Sequence, residues 1–153
     1  MNIISVDSKN DMNYVRTLFL EYAHSLPFKL DFQDFDQELE TLPGKYEEPF
    51  GCILVAFIDK EAVGCIAIRK IENNTCEMKR LYVKSKYRGK GIGKKLVEHS
   101  IKKAKEKGYD YMKLDTLSSM KGAVSLYKSM GFMEIEPYIY NPFENAVYMG
   151  LKL

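Results

Sequence analysis

The clearest chemistry in this 153-residue chain lies in Arg88-Gly89-Lys90-Gly91-Ile92-Gly93-Lys94-Lys95. Three glycines alternate with basic and apolar residues. Glycine lets backbone N–H groups turn inward, and a helix opening at the loop adds roughly half a positive charge at its N-terminus. Such a segment binds an anion, above all a phosphate. The surrounding charge agrees. From Lys79 to Lys107 there are twelve Lys and Arg, with only Glu98 and Glu106 as acids. Lys102, Lys103, Lys105 and Lys107 read as a solvated helix face. Lys84, Lys86, Lys90 and Lys94 crowd the loop and favour a polyanionic ligand. From Asp31 to Phe50 the balance reverses, with seven acids and one base, Lys45.

Other reactive side chains offer less. Cys52, Cys65 and Cys76 form an odd set without CxxC spacing, each in an apolar segment, and read as core residues of a reducing cytosol. His24 and His99 lack ligand spacing, so no metal site is expected. No apolar run approaches the roughly 20 residues of a membrane span, and the N-terminus lacks the pattern of a secretory signal. A cytoplasmic protein of one domain, spanning residues 1–153, is expected.

The elements that must position the loop follow from periodicity. Asn2–Val6 reads as a strand, and Asp7 or Ser8 caps a helix over Asp11–Ser25, with Val15, Leu18, Phe19 and Tyr22 on one face. A short helix follows near Asp36–Leu42. Cys52–Ile58 and Ala62–Ile71 form a hairpin, and Thr75–Val83 is a further strand. The loop then opens a helix over Gly91–Lys107, which Gly108 ends. Tyr109–Asp115 is a strand, Lys121–Met130 a helix stopped by Gly131, and Phe132–Glu136 and Ala146–Leu153 closing strands. The order βααβββαβαββ predicts an α/β (α+β) fold. A mixed sheet of about seven strands is flanked by about four helices, with a parallel pair around the Gly91–Lys107 helix.

Register decides which phosphate loop this is. A magnesium-nucleotide loop needs Gly, four residues, then Gly-Lys and Ser or Thr. Counting back from Gly93-Lys94, the first glycine falls on Arg88, and Lys95 stands where the hydroxyl should be. A dinucleotide fingerprint starting at Gly89 and Gly91 puts Lys94 in place of its third glycine. The pattern Arg-x-x-Gly-x-Gly, carried by Arg88, Gly91 and Gly93 after Glu77-Met78-Lys79-Arg80-Leu81-Tyr82-Val83, resembles the GNAT N-acetyltransferase superfamily. The later segment Leu126-Tyr127-Lys128-Ser129-Met130-Gly131-Phe132 resembles that family too. The likeness runs from about Cys52 to Leu153.

The resemblance implies acetyl-CoA as co-substrate, with Arg88, Gly89, Lys90, Gly91, Ile92, Gly93 and Lys94 around its pyrophosphate. Leu81, Tyr82 and Val83 would flank the pantetheine arm, through backbone groups of Leu81 and Val83. Tyr127 would touch the coenzyme and protonate its departing thiolate. Glu77, eleven residues before Arg88, is the base expected in members that use a carboxylate; others use water and backbone groups. An asparagine that the family often places after the next strand is missing from Asp115-Thr116-Leu117-Ser118-Ser119, so Ser118 or Ser119 would substitute. A base matters, because stripping the proton from a lysine-like amine at pH 7 costs on the order of 4 kcal/mol.

The expected acceptor is a small-molecule or peptide amine. Phe28, Phe32, Phe35, Tyr138, Tyr140 and Phe143 are candidates for an aromatic cleft, with Asp31, Asp34 and Asp36 attracting a cation and Asn141 and Glu144 as further contacts. The family's habits also make a homodimer one expected assembly. Two rivals stand beside an enzyme: a non-catalytic acyl-CoA-binding module of the same fold, and a nucleic-acid-binding domain using the basic segment. The basic segment lacks the interleaved aromatics that nucleic acids favour, so neither nucleic acid nor membrane is expected as a partner.

Overall fold

The computed structural model describes residues 1–30 and 34–153. Among these residues seven strands form one sheet: β1 (Asn2–Ser5), β2 (Cys52–Ile58), β3 (Glu61–Glu72), β4 (Thr75–Val83), β5 (Tyr111–Leu117), β6 (Met133–Glu134) and β7 (Ala146–Lys152). Four helices join them: α1 (Asp11–Ser25), α2 (Phe35–Glu40), α3 (Ile92–Glu106) and α4 (Lys121–Ser129). The spatial order is β1-β2-β3-β4-β5-β7-β6, antiparallel throughout except for the parallel pair β4–β5. The element order is the one periodicity predicts. The closing strand near Phe132 is shorter than expected, only Met133–Glu134.

Alternation along the strands builds two apolar layers. Cys52, Leu54, Ile66, Ile68, Cys76, Met78, Met112, Leu114 and Met149 face α3, which buries Ile92, Leu96, Val97 and Ala104 against them. Ile53, Val55, Cys65 and Ala67 face the other way, onto Met12, Val15, Leu18 and Phe19 of α1. Each valine, leucine, isoleucine, phenylalanine or methionine so enclosed contributes about 1.5–3 kcal/mol. All three cysteines are buried and free, and burial pushes the Cys52 and Cys76 thiols up to about 12. None is a nucleophile at neutral pH.

Local signals set the ends. Ser8 Oγ accepts from the Asp11 N–H at 3.1 Å as α1 begins. Gly131 (φ 99°) ends α4, and Phe132 N–H returns to Tyr127 O at 3.0 Å. The β2–β3 turn lacks Asn-Gly, yet Asp59 and Lys60 both take positive φ, 48° and 70°. Among the described residues no helix is long and apolar enough to cross a membrane.

Candidate functional site

The site begins where two strands part. β4 and β5 are paired only from Thr75↔Tyr111 to Glu77↔Lys113. Beyond that point β4 pairs only with β3, through Tyr82↔Cys65 and Val83↔Gly64. Its other edge, at Leu81–Val83, faces a gap that an extended ligand can join as a strand. A bulge starts the divergence: Lys79 pairs with Ala67 but Tyr82 with Cys65, and Arg80 takes φ 62°. A non-glycine residue held there is strained, so something must hold it. Arg80 is 3% exposed and grips Glu38 with two bonds, Nε to Oε2 at 2.8 Å and Nη2 to Oε1 at 2.9 Å. Phe35 and Tyr22 lie against its guanidinium, and Tyr46 and Lys45 complete the shell of Glu38.

The glycine loop meets the end of this gap. Gly89 and Gly91 take φ 79° and 80°, and Gly91 precedes the first turn of α3. No side chain caps that turn and it contains no acid, so its backbone N–H groups face outward unsatisfied by the helix. Arg88 ties the loop to β4 by donating from Nε to Val83 O at 2.9 Å, with its guanidinium over Tyr82. Lys90 lies over the Tyr87 ring. Lys84 and Lys86 are partly neutralised by Glu61, at 3.7 Å each, and Lys84 also by Glu21 at 3.5 Å. Lys94 has no ion pair among the described residues. Leu81, Tyr82, Val83, Arg88, Gly89, Gly91, Ile92 and Gly93 line a groove of about 530 Å³, closed on its far side by Met120, Ala123 and Leu126. Orphan N–H groups, a positive helix end and a strand edge with no neighbouring strand suit a pyrophosphate joined to an extended amide arm.

A second cavity, about 80 Å³, lies deeper in the gap and shares Tyr22, Leu81, Met120 and Ala123 as walls. Tyr127 borders it. The ring packs on Phe132, the side chain is 7% exposed, and its hydroxyl makes no hydrogen bond among the described residues. Burial, aided by Tyr22 and Asp115, holds this phenol well above its ordinary proton affinity. It stays protonated at neutral pH, as a proton donor must.

Glu77 is fully buried on the sheet face opposite α3. Arg69 Nε donates to Oε1 at 2.7 Å, Tyr138 donates to Oε2 at 2.6 Å, and Lys79 Nζ stands 3.9 Å away. Burial alone would raise this carboxyl, but Lys79, Arg69 and the Tyr138 hydroxyl outweigh it and hold it below the usual range. With both oxygens engaged, Glu77 is a weaker base than a carboxylate free of such partners.

Other expected residues are spread out. Ser118 is exposed, its N–H donates to Asn145 O, and Met120, Gly122 and Ala123 occupy the groove wall instead. Asp34 and Asp36 are exposed and border neither groove nor deep cavity. Phe28 and Phe143 pack at 4.5 Å, while Phe35 is core and Tyr140 is 71% exposed. Glu144 is exposed; Asn141 reaches the deep cavity and donates to Asp115 Oδ2 at 3.1 Å. Asp31 and Phe32 lie outside the described residues. Sequence reading overlooked Lys79, Arg80, Asp115 and Thr116 as cavity walls. The available signal was Lys79-Arg80 itself, two cations inside a strand otherwise built for burial.

Comparison with known proteins fits this architecture. Residues 14–132 match the acetyltransferase (GNAT) family. An uncharacterized N-acetyltransferase of Schizosaccharomyces pombe is 40% identical, covering 100% of this chain and 95% of its own length. One from Dictyostelium discoideum is 36% identical over 97% of each chain. The crystal structure of a GNAT-family acetyltransferase from Staphylococcus aureus superposes with a TM-score of 0.81 at 24% identity, covering 99% and 98% of the two chains. The parted strands, the glycine loop and these likenesses lead to one conclusion: the chain belongs to the GNAT acetyltransferase family.

Proposed function

We propose that this protein is an acetyl-CoA-dependent N-acetyltransferase that moves an acetyl group directly to a primary amine. The observation that carries the reading is the convergence on one gap of an uncapped helix start, an unpaired strand edge and the Tyr127 phenol. The coenzyme supplies an activated thioester; the rest is done by the chain. The N–H groups of Gly89 through Lys94 hold the pyrophosphate, and Lys90 and Lys94 add charge. The Leu81 and Val83 backbone aligns the arm, and an N–H there polarises the thioester carbonyl. Tyr127 gives its proton to the departing thiolate, a role worth typically 10²–10⁴-fold. The thiols of all three cysteines are buried and protonated, which supports direct transfer over an acyl-cysteine intermediate.

Glu77 shapes the charge beside the gap, and the amine loses its proton to water or to a carboxylate less engaged than this one. The test is thiol release from acetyl-CoA against a panel of amino acids, polyamines, aminoglycosides and peptide N-termini. At least one amine should accelerate release over hydrolysis and yield its N-acetyl product. Coenzyme binding with no acceptor-dependent release across the panel would support the non-catalytic module instead.

A further inference from the structure

We infer that the acceptor carries a carboxylate beside its amine, and that Lys79 is the residue that binds it. The inference rests on the N-acetyltransferase reading and names the acceptor class for the same gap.

Lys79 is an unusual lysine. Its side chain is only 5% exposed and it borders the deep cavity with Tyr127 and Leu81. It makes no hydrogen bond among the described residues. Its one ion pair there is the 3.9 Å contact with Glu77, longer than a hydrogen bond. Arg69 at 2.7 Å and Tyr138 at 2.6 Å already hydrogen-bond both oxygens of Glu77, so Lys79 acts on that carboxylate through its charge and keeps its own hydrogen bonds unspent. A buried ammonium without hydrogen bonds is expensive, and a ligand anion that bonded it would offset that cost. Its three donors are therefore unspent, and Lys79 is a wall of a polar cavity with room for several water-sized groups.

The other walls fit the same class. Asp115 borders the cavity, with Asn141 on one oxygen, and supplies the negative counterpart to Lys79. A cation and an anion across one small cavity match a zwitterion: carboxylate toward Lys79, amine toward Asp115. The neighbouring Arg80 is committed to Glu38 and adds no competing demand. Burial lowers Lys79 to about 8 against the pull of Glu77 and Asp115, so the ammonium persists at neutral pH with Arg80 and Lys45 as the opposing charges. Of the acidic residues expected to attract a purely cationic amine, Asp34 and Asp36 do not border the cavity, and Asp31 lies outside the described residues.

The test pairs each amino acid with its α-amide: aspartate with isoasparagine, glutamate with isoglutamine, alanine with alaninamide. Each is assayed with wild type, Lys79→Gln and Lys79→Arg. An α-amide also carries the more easily deprotonated α-amine, so a preference for alanine over alaninamide cannot come from amine basicity. Wild type should favour the acid of at least one pair by about tenfold or more in kcat/KM, the scale of one charge-assisted hydrogen bond. Lys79→Gln should collapse that ratio and Lys79→Arg should partly restore it. The ratio is the readout, so a general loss of folded enzyme cancels. Acetyl transfer without preference for any acid overturns this inference and leaves N-acetyl transfer standing. So does a Lys79→Gln variant that slows acid and amide alike. No thiol release with any amine overturns both.

Discussion

At the scale of single residues, three buried groups carry the account in different ways. Tyr127 is held protonated by burial, the form that its proposed role as proton donor requires. Lys79 is held almost out of solvent with a long ion pair, a cost that the proposed acceptor carboxylate would offset. Arg80 is held charged by Glu38, and its value is architectural: it pins the positive-φ residue at which β4 turns away from β5. Removing one partner of a buried ion pair leaves the other uncompensated, at about 3–5 kcal/mol. Glu38→Ala should therefore destabilise the fold by that amount in a denaturant titration. A loss under 1 kcal/mol would mean the pair does not hold the bulge. Neither residue stood out in the sequence as a pair. They are 42 positions apart, and only the packing of α2 against the sheet brings them together.

At the scale of elements, the glycine loop separates two uses of one residue type. Gly91 takes φ 80° with nothing near an added Cβ, so Gly91→Ala meets only backbone strain, about 1–2 kcal/mol. Gly93 has an ordinary φ, and its added Cβ would sit 3.7 Å from Leu126, in normal contact. In a helix, alanine is favoured over glycine by about 0.5–1 kcal/mol. Thermal unfolding should therefore show Gly91→Ala below wild type and Gly93→Ala level with it or above. Equal losses would mean that φ at Gly91 is not what the loop requires.

This loop was legible because its signal is local: glycines, basic residues and a helix start within a few positions. The strands and helices were legible for the same reason, through periodicities of two and 3.6. The acceptor end was not. Tyr138 reaches Glu77 across 61 positions and Asn141 reaches Asp115 across 26, contacts that no local pattern encodes. Glu77 was singled out only through the family resemblance, by its distance from Arg88, and its engagement with Arg69 and Tyr138 was invisible until β3 and the segment before β7 were in place.

At the scale of the whole molecule, the charge asymmetry of the sequence resolves into internal pairing. Glu38 of the acidic stretch meets Arg80, and Glu48 meets Lys107, both from the basic stretch. The fold thus joins its N-terminal acids to its central bases and leaves the positive helix start exposed to a ligand. Stability inherits a pH dependence. For both Glu38 and Glu77 burial alone would raise the carboxyl, yet neighbouring cations and hydrogen bonds bring each below the ordinary 4.5. A carboxylate depressed in the folded state stabilises it above the unfolded value, and that stability is lost as pH falls through the folded one. Unfolding free energy should hold steady from neutral pH to about 5 and fall steeply below 4.5. Replacing Glu38 by Gln should flatten that fall. An acid limb unchanged by the substitution would assign the titration elsewhere.

The central claim is that the gap between β4 and β5 holds the coenzyme thioester with Tyr127 as its proton donor. Tyr127→Phe removes one hydroxyl from a buried ring and leaves the packing on Phe132 in place. The decisive measurement is its kcat beside its dissociation constant for acetyl-CoA. The account predicts a fall in kcat of about 10²-fold or more with coenzyme affinity within about threefold of wild type. An unchanged kcat would contradict it.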